Sequence, residues 1–351
     1  MQIKELLEKA VQKNAADIFI VAGLPVSYRI EGTIIQDDDT KLMPDQTKEL
    51  LKQIYQLSNR DETRLLTQGD DDFAFAVAGL SRFRINAYKQ RGTLSAVIRV
   101  IAFNLPSPEE LGIPDSIIHT GDLPKGLVLV TGPAGSGKST TLACIIDYIN
   151  KHKQKHIITL EDPLEHLHRH NKCIVSQREI SVDTESYVTA LRASLRQSPD
   201  VILLGEMRDY ETINVAMTAA ETGHLIFSSL HTLGAVNSIE RIIDVYPSEE
   251  KTQIAMQLSL VLQCVVSMQL IPDVHGQQIA AFEIMTVTPA IRNMIRDNKI
   301  PQIEGMLYSS NKADMISMDS CLLNLYKEGR ITKETVLAYA TNPEMLKKKL
   351  N

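Results

Sequence analysis

The strand-like run GLVLVT leads without a break into GPAGSGKST, Gly132 to Thr140. The spacing G-x-x-x-x-G-K-[ST] is met at Gly132, Gly137, Lys138 and Ser139, between a predicted strand and a predicted helix. Gly132, Pro133, Ala134, Gly135, Ser136, Gly137, Lys138, Ser139 and Thr140 therefore form a candidate phosphate cradle. Glycines let the backbone curl so that successive N–H groups point at phosphate oxygens, and the following helix adds the positive end of its dipole. Lys138 is placed to reach the β- and γ-phosphates of a bound nucleotide, and the Ser139 hydroxyl to ligate Mg2+.

Strands and helices alternate around this loop. Leu127–Thr131, His156–Leu160, Val201–Leu204 and Leu225–Ser228 read as strands, and Ser139–Asn150, Glu185–Gln197 and Tyr210–Thr222 as helices. Continuous apolar strands between helices predict an α/β fold with a parallel sheet covered on both faces. From about residue 288 to 351 the pattern is mostly helical. The chain opens differently. Ile3, Leu6, Leu7, Ala10 and Val11 fall at helical spacing, Pro44–Leu57 and Asp61–Leu66 read as helices, and Asp72–Val77, Arg82–Tyr88 and Leu94–Ile101 alternate like neighbouring strands. Three prolines and a glycine in FNLPSPEELGIP mark a linker. The expected organisation is an N-terminal α+β domain over 1–102, a linker over 103–114 and a nucleotide-binding domain over 115–351.

Composition narrows the function classes. With 351 residues, 44% of them hydrophobic, the chain can fill two cores, which excludes disorder and fibrous repeats. A net charge of −6 and 5% aromatics argue against a nucleic-acid partner. The longest apolar stretch, Leu258 to Ile271, is broken by Ser259, Gln263, Ser267 and Gln269 and reads as a buried core element, so no direct membrane insertion is expected. The charged N-terminus lacks a signal-peptide pattern, and Cys144, Cys173, Cys264 and Cys321 are scattered without a CxxC pair. Both features fit a reducing, cytoplasmic setting.

Two further strand ends carry acids. DVILLGEMRD places Glu206 just after four apolar strand residues, and ITLEDPLEH places Glu161, Asp162 and Glu165 after another strand. Phosphoryl transfer needs carboxylates that hold metal or orient water more than it needs a strong base. Asp162 and Glu206 are candidate Mg2+ holders beside Ser139, and Glu165 or Glu206 is the candidate water-orienting residue. FSSLHT adds His231 after the next strand.

Taken in order, GPAGSGKST, LEDPLE, LLGEMRD and SLHT resemble the secretion ATPase superfamily of type II secretion and type IV pili. RFRINAY, TAAETGHL and RIIDVYP extend the resemblance over nearly the whole chain, and AIRNMIR (Ala290–Arg296) resembles a motif of the retraction branch, the PilT-type twitching-motility ATPases. The resemblance implies a homohexameric motor whose subunits join a PAS-like N-terminal domain to a RecA-like P-loop ATPase domain. It implies ATP and Mg2+ as cofactors. It also implies docking at the cytoplasmic face of the inner membrane, on a pilus platform protein and so indirectly on pilin. By position, Arg84 and Arg99 match the family arginines that reach the phosphates, and His231 matches the histidine that senses the γ-phosphate or relays its loss. Pilus assembly or type II secretion is the alternative function, and DNA translocation a more distant one. Two departures stand out: Phe19, where many relatives carry histidine, and Met294 for the usual leucine of the C-terminal motif.

Other signals are expected to be structural. His166, His168 and His170 alternate, as three ligands on one strand face would, but no further ligand is evident. Asn311–Asp314 imitates a guanine-recognition pattern without a preceding buried strand. The acidic runs Asp37–Asp39 and Asp70–Asp72 are expected to be solvated turns.

Overall fold

The computed structural model describes residues 2–30, 32–101, 105–310, 312 and 314–350. The chain divides into two compact units, Met1–Asn104 with Glu165–Leu167, and Leu105–Leu164 with His168–Asn351.

In the first unit, α1 (Ile3–Gln12) precedes β1 (Asp17–Ile20), β2 (Ser27–Ile30) and β3 (Thr33–Gln36), and α2 (Pro44–Leu57) and α3 (Thr63–Gln68) precede β4 (Asp70–Val77), β5 (Ser81–Gln90) and β6 (Thr93–Ile101). The strands form a six-stranded antiparallel sheet in the order β3-β2-β1-β6-β5-β4. Strand period decides what each side chain meets. Phe83, Ile85 and Ala87 of β5 point into the core with Leu6, Leu7, Leu50 and Ile54 of the helices, while Arg84 and Asn86 take the other face. The helical run expected from Ile3 to Val11 is present, and Pro44–Leu57 is a helix with the bounds expected.

One expectation here is corrected. Asp70–Asp72 is the start of strand β4, not a solvated turn. Asp71 is buried, accepts the Tyr55 hydroxyl at 3.0 Å and meets Arg60 at 3.5 Å, while Asp72 on the opposite face pairs with Arg84. Cross-strand pairing put the acids into the sheet, which sequence polarity cannot reveal.

The second unit is built on an eight-stranded sheet in the order β14-β13-β12-β7-β11-β10-β8-β9. A short helix, α4 (Asp115–Ile118), leads to β7 (Gly126–Thr131), α5 (Lys138–His152), β8 (His156–Glu161) and β9 (Ile174–Glu179). Then come α6 (Tyr187–Ser194), β10 (Val201–Leu204), α7 (Tyr210–Glu221), β11 (Leu225–Leu230), α8 (Ala235–Asp244) and α9 (Lys251–Val261). The chain closes with β12 (Leu262–Pro272), β13 (Gln278–Thr286), α10 (Pro289–Arg296), α11 (Gln302–Ser309), β14 (Met315–Ile316), α12 (Met318–Lys327), α13 (Lys333–Tyr339) and α14 (Pro343–Lys349).

The all-apolar strands are explained by burial on both faces. Leu127 and Leu129 of β7 feed one core with α6 to α11, and Val128 and Val130 feed another with α5. Truncating such a residue to Ala costs roughly 2–5 kcal/mol. Met294, the substituted position of AIRNMIR, packs partly buried against the first of these cores, as a volume-conserving swap allows.

Several expectations shift in this unit. The sheet is mixed, not wholly parallel, because β12, β13 and β14 pair antiparallel. The apolar stretch Leu258–Ile271 is two elements, the end of α9 and most of β12. The helix expected over Glu185–Gln197 spans only Tyr187–Ser194, started by the Ser186 hydroxyl accepting Thr189 N–H at 3.2 Å. Strand β9 carried no signal that separates it from a loop. His166, His168 and His170 lie outside any strand, and no group of three or more metal-ligating side chains occurs among the described residues. Asn311 and Ala313 of the guanine-recognition lookalike, and Phe103 and Asn104 of the expected linker, lie outside the described residues. The rest of that linker is not free, since Leu105, Leu111 and Ile113 pack on the core beside α5. Among the described residues no helix is long and apolar enough to cross a membrane.

Candidate functional site: a phosphate cradle and its carboxylate edge

Four adjacent parallel strands, in the order β7-β11-β10-β8, end on one edge of the second sheet. Thr131 pairs with Leu230, Leu204 with Ser228, and Leu160 with Leu204. The residues that follow, Gly132, His231, Gly205–Glu206 and Glu161–Asp162, are therefore neighbours along the carboxyl edge, where open α/β sheets bind ligands.

The cradle grows out of β7. Gly132 N donates to Leu230 O at 3.2 Å, and Ser136 N to Pro133 O at 3.3 Å. At Gly132, φ is +147°, and a Cβ there would collide with the Met268 carbonyl oxygen. Gly137 has φ +93°, the left-handed turn from which α5 starts. Lys138 is 8% exposed and its Nζ donates to Gly132 O and Pro133 O, both at 2.9 Å. Pro133, Ala134, Gly135 and Ser139 form an exposed rim, with Thr140 half-buried behind it. Ser136 Oγ and Thr131 Oγ1 are buried and have no hydrogen-bond partner among the described residues. An orphaned hydroxyl at Ser136, in a loop where the Met268 carbonyl leaves no room for a Cβ at Gly132, fits a bound phosphate.

Beside the loop lies a cavity of about 370 Å³ lined by Gly137, Thr141, Leu111, Met268, Phe282 and Arg330. Its apolar wall with polar edges suits a nucleoside. Sequence reading missed it because its walls come from the segment after residue 105 and from the antiparallel strands β12 and β13.

Glu206 sits two residues past β10 with its side chain 15% exposed. One oxygen, Oε2, accepts Arg208 Nε at 2.7 Å, and Oε1 lies 3.2 Å from His231 Nε2. The structure thus joins two sequence candidates and adds Arg208, whose only signal was a base two residues after a strand-end acid. Tyr187 is a second addition. Its hydroxyl is 3.0 Å from where a Cβ on Gly205 would stand. Burial first, and then the nearby Asp162, push its phenol well above the usual range, so it stays a neutral donor. Asp162 itself is exposed.

The remaining candidates belong to the first unit. Arg84 and Arg99 are direct cross-strand partners on β5 and β6. Arg84 makes a two-pronged contact with Asp72 at 2.8 and 3.2 Å, and Arg99 Nε donates to Asp17 at 3.1 Å, which also meets Arg29 at 3.0 Å. Glu165 is exposed and falls in the short Glu165–Leu167 segment of that unit.

A glycine-closed phosphate cradle at the carboxyl edge of a doubly covered sheet, preceded by an α+β unit, defines a two-domain P-loop nucleotide-binding protein. Residues 1–341 match the family described as type II/IV secretion system protein, and the chain belongs to that family. It is 44% identical over 345 residues to the type IV pilus retraction ATPase PilT of Pseudomonas aeruginosa, covering 98% of this chain and 99% of that protein. A twitching motility protein of Neisseria gonorrhoeae is 45% identical over 276 residues, or 78% of this chain and 74% of that one. The crystal structure of the pilus retraction motor PilT with bound ADP superposes with a TM-score of 0.90 at 42% identity, covering 99% of both chains.

Proposed function

We propose that the chain is an ATP-hydrolysing motor subunit that powers retraction, and so disassembly, of type IV pili, the movement behind twitching motility. The observation that carries this reading is the Glu206–His231 pair on the same sheet edge as the Gly132–Lys138 cradle, in a chain similar end to end to a pilus retraction ATPase.

The β- and γ-phosphates of ATP lie along the N–H groups of Gly132–Thr140, with Lys138 exchanging its two carbonyl partners for phosphate oxygen. Ser139, Asp162 and Glu206 are hard oxygen donors that suit Mg2+, which when bound neutralises phosphate charge. Glu206 accepts a hydrogen bond from the attacking water and aims it, and Arg208 and His231 fix the carboxylate from both sides. Glu165 is the other candidate for the water. Arg84 and Arg99 supply positive charge to the transferred phosphoryl group, a role that needs reach and charge, not acid–base strength.

The working assembly is a homohexamer at the cytoplasmic face of the inner membrane, handing torque to a platform protein and through it to pilin. Deleting the gene tests the direction of work: surplus pili without surface motility are expected, and bald cells would show an assembly motor instead. Lys138→Ala in the purified protein tests the chemistry by phosphate release. Retained turnover would overturn the site.

A further inference from the structure

Glu283 lies in β13, is 7% exposed, and plays no part in the chemistry above. Its two oxygens serve two different helices. Oε1 accepts Ala235 N–H at 2.7 Å, and Oε2 accepts Met318 N–H at 3.2 Å. Ala235 and Met318 are the first residues of α8 and α12, so two helix N-termini aim their dipoles at one buried carboxylate. Burial raises its carboxyl above the usual range, while these two N–H donors act the other way.

Ala235 is four residues past His231 in the chain, and the intervening loop is pinned elsewhere too. Gly234 N donates to Ser267 Oγ at 2.8 Å, and the Thr232 and Ser238 hydroxyls are 2.7 Å apart. At Gly234, φ is +89°, and a Cβ there would stand 3.8 Å from Glu283 Oε1. The loop is thus held at the end of β11 on one side and at Glu283 on the other, with His231 between them.

We infer that Glu283 is a positioning residue for His231: by anchoring the first turn of α8 it fixes the loop that sets His231 Nε2 beside Glu206. The inference rests on the reading that His231 serves hydrolysis. A carboxylate suits the task because its second oxygen is tied to α12, so it cannot swing with the loop it restrains.

The test is steady-state phosphate release by the full-length assembled protein carrying Glu283→Gln, His231→Ala or both. The amide keeps one acceptor oxygen and turns the other into a donor facing a backbone N–H. Glu283→Gln is expected to lower kcat by about tenfold with little change in KM for ATP, and to speed amide exchange of Gly234 and Ala235. In the His231→Ala background it should have almost no further effect on kcat. Multiplicative losses in the double variant, or an unchanged kcat in Glu283→Gln, would overturn the inference. An unchanged kcat in His231→Ala alone would overturn the underlying reading instead. Glu283→Asp keeps the charge but draws the carboxylate back from the first turn of α8, and the same kcat-only loss with the same coupling to His231 is expected from it, whereas an unchanged kcat would overturn the inference. That variant decides the matter should Glu283→Gln not fold.

Discussion

His231 Nε2 lies 3.2 Å from Glu206 Oε1, although 25 positions separate the two residues in the chain. They meet because β10 and β11 are adjacent and parallel, with Leu204 opposite Ser228. Glu206→Gln keeps the shape of the side chain but removes the charge that Arg208 and His231 share. Turnover should fall by roughly 10²-fold or more while nucleotide binding survives. Phosphate release paired with a fluorescent-nucleotide titration separates the two, and normal turnover would shift the water-orienting role to Glu165.

At Gly132 a Cβ would run into the Met268 carbonyl, which is backbone and cannot step aside. Gly132→Ala is therefore expected to cost roughly 1–3 kcal/mol of stability and to abolish nucleotide binding by displacing the loop. Thermal melts with and without ATP measure both effects, and a ligand-induced rise in Tm equal to that of the unsubstituted protein would contradict the cradle as described.

Arg84 and Arg99 are joined to Asp72 and Asp17 by partly exposed ion pairs, with arginine side chains 39% and 69% exposed. The Arg84–Asp72 pair, exposed on both sides, contributes about 0–1 kcal/mol, so Arg84→Ala should leave the melting curve nearly unchanged. The Asp17 side chain is only 8% exposed, and Arg99→Ala leaves Arg29 as its partner, so a modest fall in Tm is expected there. If the two arginines act on the transferred phosphoryl group, turnover falls by roughly 10³-fold, the scale of an arginine finger. Equal turnover would leave them as sheet charges.

Asp122 ties the end of α5 to the segment before β7. It meets Lys153 at 2.6 Å, His119 at 2.7 Å and the Tyr148 hydroxyl at 3.0 Å. Burial opposes its charge, but these three donors prevail and hold its carboxyl at about 2, below the usual 3.8. A depressed acid contributes stability that is present above the unfolded value and lost as pH falls toward the folded one. Asp122→Asn should thus be less stable than the unsubstituted protein at pH 7, by an amount kept small because Asp122 is 37% exposed. The gap should close between about pH 4 and pH 2. Urea midpoints across that range check it, and a gap independent of pH would assign the effect to packing.

What the chain alone determined is local. The spacing Gly132–Ser139, the apolar runs of β7, β10 and β11, and the acids and histidine that follow those strands are all readable, because strand period and turn chemistry act over a few residues. Even the boundary residues of Pro44–Leu57 and Val201–Leu204 come out as expected. Only the tertiary structure decided which of those strand ends become neighbours, because sheet order and register join segments far apart in sequence. Arg208 and Tyr187 at Glu206 and Gly205, the antiparallel pairing of β12 with β13, the conversion of Asp70–Asp72 from turn to strand, and the two-helix anchor at Glu283 all follow from that packing. A buried carboxylate such as Glu283 looks like any other acid in a sequence. Its environment is made by elements that come together only once the chain has folded.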